Sequence, residues 1–211
     1  MSSRLPEIYD TLLAAFGHQH WWPGDTPFEI MIGAVLTQNT AWTNVERAID
    51  NLKSANLLTL EAMAATDVHI LAELIRPSGY YNQKAARLKG LTQYLVDNHH
   101  DLQTFFDQDT ETLREELLGL KGIGPETADS ITLYAAEKPT FVVDTYTHRI
   151  FSRHHLIDEE ADYHQIREMF MDALPEEVQL YNEYHALIVR LGKEYCKKSK
   201  PLCDACPLKD F

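Results

Sequence analysis

The most specific chemistry in this chain sits at its end. Cys196, Cys203 and Cys206 all fall within the last sixteen of 211 residues. An odd count at such tight spacing does not suit a disulfide framework. It points to thiolate ligation of a metal in a reducing compartment, as zinc or as an iron–sulfur cluster. A second candidate is LKGIGPETADSI, residues 120–131, which reads as helix, tight turn, helix. Gly122 and Gly124 permit unusual torsions there and carry no side chain to block a close ligand. The turn amides and the following helix N-terminus suit a phosphate. GxG also serves as a plain helix connection. A third candidate is Asp144, eighteen residues beyond Glu126 and directly before a helical stretch. As an N-cap its carboxylate has a fixed orientation. Such a group can orient water or stabilise a nearby cation.

The net charge of −13 speaks against nucleic acid when taken alone. Its distribution does not. Residues 76–90 hold Arg76, Lys84, Arg87 and Lys89 and no carboxylate, giving +4. From Lys193 onward five lysines face three carboxylates, giving +2. Acid concentrates elsewhere, as in Asp158, Glu159, Glu160 and Asp162. The pairs His99-His100 and His154-His155 read as surface residues.

The elements that must position these groups are helical nearly throughout. Thr26-Pro27-Phe28-Glu29 has the form of a capping box with proline at the first helical position. The FEIMIGAVL that follows is apolar on most of its circumference, which predicts a buried central helix. Thr43 to Glu46 has the form of a second box, with Val45, Ala48, Ile49 and Leu52 on one stripe. Further helices are expected near 60–65, 68–75, 83–97, from Thr110, from Pro125, and near 145–155, 162–173 and 177–195. Only 140–143 looks β-like, and it is too short for a sheet. The expected class is all-α, with about ten short helices. No apolar run approaches the roughly 20 residues of a membrane span. The opening MSSRLPEIYD lacks a signal core, so neither membrane nor secretion is expected.

Residues 120–131 and PTFVVDTYTHR, residues 139–149, together resemble the helix-hairpin-helix and Gly/Pro…Asp signature of the endonuclease III superfamily of DNA glycosylases. The hairpin-to-aspartate spacing is similar too. The resemblance implies a two-lobed helical fold, with a six-helix barrel over 25–134. A second lobe would comprise 1–24 and 135–211, with a C-terminal iron–sulfur loop. It implies double-stranded damaged DNA bound by a monomer, cytoplasmic in the bacterial or archaeal manner. Leu120, Gly122 and Gly124 would hold a phosphate, with a monovalent cation at the hairpin. Asp144 would be catalytic, acting on a base flipped from the stack. The strand-cleaving branch has a lysine nucleophile where this chain has Glu126, so a monofunctional glycosylase is expected. In the adenine-mismatch branch a catalytic glutamate stands where this chain has Gly33.

Trp21-Trp22-Pro23, the run from Leu36 to Trp42, and RPSGYYNQKA at 76–85 are closely similar to the 3-methyladenine DNA glycosylase III group. That likeness implies a base pocket of Trp21, Trp22, Pro23 and Trp42. Such a slot holds electron-poor alkylated purines by stacking and cation–π attraction. Gln38 would fill the gap left by the base, and Asn82 and Lys84 would lie near a phosphate. Cys196, Cys203 and Cys206 match the first three of four [4Fe–4S] ligands. The fourth would fall at position 212, one residue beyond Phe211. The alternatives are an endonuclease III-like lyase for oxidised pyrimidines and a non-catalytic damage-binding module.

Overall fold

The computed structural model describes residues 4–211. Among them lie twelve α-helices and no strand, so the chain is all-α. Residues 140–143 form no strand. No described helix is long and apolar enough to cross a membrane. The chain divides into two compact units, Pro23–Glu137, and Lys138–Phe211 with the described part of Met1–Trp22.

The unit from Pro23 is built around α2 (Pro27–Leu36), which buries eight of its ten residues. Thr26 caps it by accepting from the Glu29 amide, and Pro27 presets its first turn. The Glu29 carboxylate accepts instead from the Asp25 amide. Against α2 pack α3 (Trp42–Ser54), α6 (Tyr81–Asn98), α9 (Pro125–Ser130) and a wide π turn, Ile131–Ala135, that continues α9. Short α4 (Leu60–Ala65) and α5 (Val68–Leu74) lie on α6. α7 (Leu102–Phe106) and α8 (Thr110–Leu118) lead into the hairpin. The stripe Val45, Ala48, Ile49 and Leu52 is buried as its period requires. The expected box at Thr43 does not form. α3 starts two residues earlier, with Ala41 rather than Thr43 at its N-cap and no side-chain cap. Glu46 accepts from the Trp42 indole at 2.9 Å instead.

The other unit packs α1 (Leu5–Phe16), α10 (Thr145–Arg153), α11 (Tyr163–Ala173) and α12 (Val178–Glu194). Phe141 stacks on Phe170 with centroids 3.9 Å apart, and Tyr181 and Tyr184 meet its ring edge-on. Tyr184 donates to the Leu5 carbonyl at 2.9 Å. This aromatic core anchors the chain just ahead of Asp144. A closing loop carries the cysteines.

Candidate active site and nucleic-acid interface

In the hairpin, Gly122 has φ +90°, a region that favours glycine. A Cβ there would also fall 2.6–2.8 Å from the Arg87 side chain. Gly124 differs from the sequence expectation. Its φ of −96° is ordinary, and a Cβ would meet open space. Leu120 is half-buried below the turn, its carbonyl accepting from the Ile123 amide at 3.1 Å. The two helices are clasped by Arg114 of α8 and Asp129 of α9. Arg114 Nε and Nη2 donate to the two carboxylate oxygens at 2.7 and 3.2 Å, and both side chains are buried. Sequence reasoning missed this pair.

Gln38, just beyond α2, is committed to the same hairpin. Its Nε2 donates to Gly122 O at 3.2 Å and Thr127 Oγ1 at 2.8 Å, and its Oε1 accepts from Arg87. Filling a gap in a duplex would require the amide to exchange these partners. Asn82 is exposed in the first turn of α6. Lys84 overturns its expected place at a phosphate. It is 1% exposed, and its ammonium donates to Leu36 O at 2.8 Å and Ser78 O at 2.7 Å. It caps the end of α2 from inside. Burial, aided by Arg87, pulls its pKa down to about 8.

Asp144 caps α10 with one oxygen. Oδ1 accepts from the amides of Tyr146 and Thr147, both at 2.8 Å, and from Thr147 Oγ1 at 3.1 Å. Oδ2 faces Nε2 of His185, a buried residue of α12, at 3.5 Å. Burial pushes the Asp144 carboxyl up, but His185 and the Thr147 donors outweigh it and hold its pKa below the ordinary value. The carboxylate therefore stays ionised where it is recessed. His185 also escaped sequence reasoning, because a lone histidine in NEYHALIV reads as core.

Among the aromatic candidates, Trp21 and Trp22 pack edge to face at 5.7 Å, and both are half-buried. Lys193 Nζ lies 5.8 Å from the Trp21 ring centroid. In the other unit Pro23 and Trp42 line a cavity of about 200 Å³ with Gly33, Glu46, Asp50 and Lys53. Gly33 leaves that cavity without a carboxylate from the middle of α2. Glu126, at the place of the lyase lysine, is exposed.

All three cysteines line one cavity of about 460 Å³. Cys196 and Cys206 are buried and Cys203 is exposed. Burial, with the neighbouring thiols of Cys196 and Cys203, pushes the Cys206 pKa up. No three His, Cys, Asp or Glu among the described residues are placed to hold a single metal ion. One zinc ion would draw thiolates to about 2.3 Å from itself. A polynuclear iron–sulfur group spreads them more widely. Three thiols line the cavity, one fewer than the four thiolates that a [4Fe–4S] cluster takes. Arg153 donates to Cys196 Sγ at 3.3 Å and to Lys197 O at 2.8 Å. Arg149 donates to Cys196 O at 2.8 Å. Two arginines one turn apart on α10 thus grip the loop. His154 is half-buried beside it, and His99 is half-buried against Glu116 and Phe105, so neither is the surface residue expected.

The sequence profile of HhH-GPD superfamily base excision DNA repair proteins matches residues 32–176. A Methanocaldococcus jannaschii protein named "Putative DNA repair glycosylase MJ1434" is 51% identical over 207 residues, covering 97% of this chain and 94% of that one. The Helicobacter pylori 3-methyladenine DNA glycosylase MagIII, solved bound to 1,N6-ethenoadenine, superposes with a TM-score of 0.79. It is 33% identical, over 92% of this chain and 97% of that one. An endonuclease III–DNA complex superposes with a TM-score of 0.86 over 100% of this chain and 94% of that one, at 23% identity. That last likeness is one of fold alone.

Proposed function

The chain belongs to the HhH-GPD superfamily of base excision DNA repair proteins, and from this premise we propose that it is a monofunctional DNA glycosylase releasing alkylated purines such as 3-methyladenine. The observation that carries the reading is Asp144. One oxygen is fixed by α10, the other is left facing His185, and the carboxylate stays ionised despite burial. That is what a reaction with an oxocarbenium-like sugar requires. The bond from C1′ to the base nitrogen breaks, and the electron pair leaves with the base. Asp144 stabilises the sugar cation. Water adds at C1′ and gives its proton to the carboxylate.

Double-stranded DNA is the substrate in this reading. The turn at Leu120, Gly122 and Gly124 holds a phosphate, with a monovalent cation completing the contact. Exposed Asn82 lies near a second phosphate. Gln38 enters the space the base vacates. Trp42 and Pro23, which line one cavity, supply a wall for a flipped, electron-poor base. Glu126 offers no amine, so no Schiff base forms and the product is an abasic site. MagIII, bound to a modified adenine, is the relative that favours purines.

Cys196, Cys203 and Cys206 would hold a [4Fe–4S] cluster, whose part is structural. Lys197, Lys198 and Lys200 are exposed on that loop and face the backbone phosphates. Purified protein should carry iron and acid-labile sulfide at about four each per chain.

The test is mass spectrometry of bases released from DNA carrying alkylated, deaminated and oxidised lesions, with Asp144→Asn beside the native chain. Release of 3-methyladenine by the native chain alone supports the reading. Release of oxidised pyrimidines with borohydride-trapped adducts replaces it with a lyase. Binding without release replaces it with a damage-binding module.

A further inference from the structure

Five aspartates cap helices among the described residues. Asp67, Asp101, Asp109 and Asp162 are exposed. Asp144 alone of the five is recessed, with its side chain 12% exposed, and it faces a histidine. Capping α10 occupies only Oδ1. His185 is 4% exposed and lies mid-helix among Tyr184, Ala186, Leu187 and Ile188. A buried imidazole is costly unless its polar atoms meet a partner. Capping therefore does not explain why the histidine is there.

We propose that His185 is the positioning residue of Asp144, holding Oδ2 from α12 while the α10 amides hold Oδ1, so that the two residues work as one unit when water adds. The 3.5 Å separation is longer than a tight hydrogen bond. Oδ2 thus keeps lone pairs for the incoming water. Other charged groups nearby have their own partners. On α10, Arg149 binds Cys196 O and His148 lies 3.5 Å from Ser152 Oγ. On α12, Arg190 binds Glu194 and Lys193 lies over Trp21. On α11, Arg167 binds Thr140. His185 is the side chain of α12 that faces Asp144 Oδ2.

The inference rests on the glycosylase reading for its chemistry but not for its geometry, so the experiment has two arms. In the first, the Asp144 side-chain carboxyl is titrated by 13C NMR in the native chain, His185→Leu and His185→Gln. In the second, single-turnover release of 3-methyladenine is followed against pH for the same proteins. Thermal melting checks that each is folded. With leucine, Asp144 should titrate higher, the acid limb of the rate should rise with it, and release at neutral pH should fall about tenfold. Glutamine keeps an N–H donor and should recover part of the rate. An Asp144 titration unchanged by leucine overturns the proposal, as does an acid limb that stays in place. A shifted titration in a native chain that releases no base leaves the pair standing and removes the glycosylase reading instead.

Discussion

The hairpin and the start of α10 each bury an aspartate, fifteen residues apart in sequence and opposite in use. Asp129 has a side chain with no exposed surface and gives both oxygens to one arginine. Asp144 keeps 12% of its side chain exposed, gives one oxygen to its own helix and leaves the other facing an imidazole. The first is a rivet and the second a tool. Burial separates them only a little. The placing of the donors tells them apart, because the guanidinium engages both oxygens of Asp129, whereas the α10 donors engage only one oxygen of Asp144.

The sharpest way to break this comparison is at the rivet. Arg114→Leu leaves Asp129 buried without its cation and should cost about 3–5 kcal/mol in urea unfolding. Arg114→Leu with Asp129→Leu should recover most of that loss. A single variant as stable as the native chain would mean that Asp129 is not the structural carboxylate. The tool answers differently. Asp144→Asn keeps an N-cap side chain, so stability should change by less than about 1 kcal/mol. Single-turnover base release should nevertheless fall roughly 10²–10³-fold. Equal damage to stability and rate would erase the distinction.

The two hairpin glycines give a smaller and finer test. Gly122→Ala meets both a left-handed φ and the Arg87 side chain, and should cost about 1–3 kcal/mol. Gly124→Ala meets neither and should lie within about 0.5 kcal/mol of the native chain. Thermal melts separate the two. Weaker binding of an abasic-site duplex by Gly122→Ala, at unchanged affinity for Gly124→Ala, would place the DNA contact on the torsion rather than on the lack of a side chain.

The elements were legible where local rules decide them. Thr26 and Pro27 announce α2, Pro125 announces α9, and Ala85, Leu88, Leu91 and Leu95 turn inward on α6 as their period demands. The Asp144 cap was legible for the same reason, since a cap is a contact between near neighbours. What stayed hidden is made across the fold. Arg114 and Asp129 look like surface charges until α8 meets α9, and His185 looks like core until α12 lies against α10. Two failures have another cause. Thr43 reads as a cap, but the helix begins at Trp42, whose indole takes Glu46. Gly124 reads as a torsional necessity, yet its φ is one that any residue adopts.

Lys84 is the clearest case of composition misleading, and its burial has a measurable signature. Four cations without a carboxylate suggest a strip that meets phosphate, but Lys84 is turned inward onto Leu36 O and Ser78 O. Its pKa is about 8 in the folded chain, against an ordinary 10.5. Between those values the unfolded chain binds the extra proton and the folded chain does not, so stability rises with pH across this window. The burden of the buried charge is fully present below pH 8 and is relieved as the ammonium deprotonates. Lys84→Met removes the group from both states. The variant should therefore lose the upward slope of unfolding free energy between about pH 8 and 10.5. Urea unfolding of both proteins at several pH values measures it. Phosphate contact and burial exclude each other here. If Lys84→Met instead kept the slope and lowered the salt dependence of DNA binding by about one phosphate, the lysine would belong to the DNA interface and not to the interior.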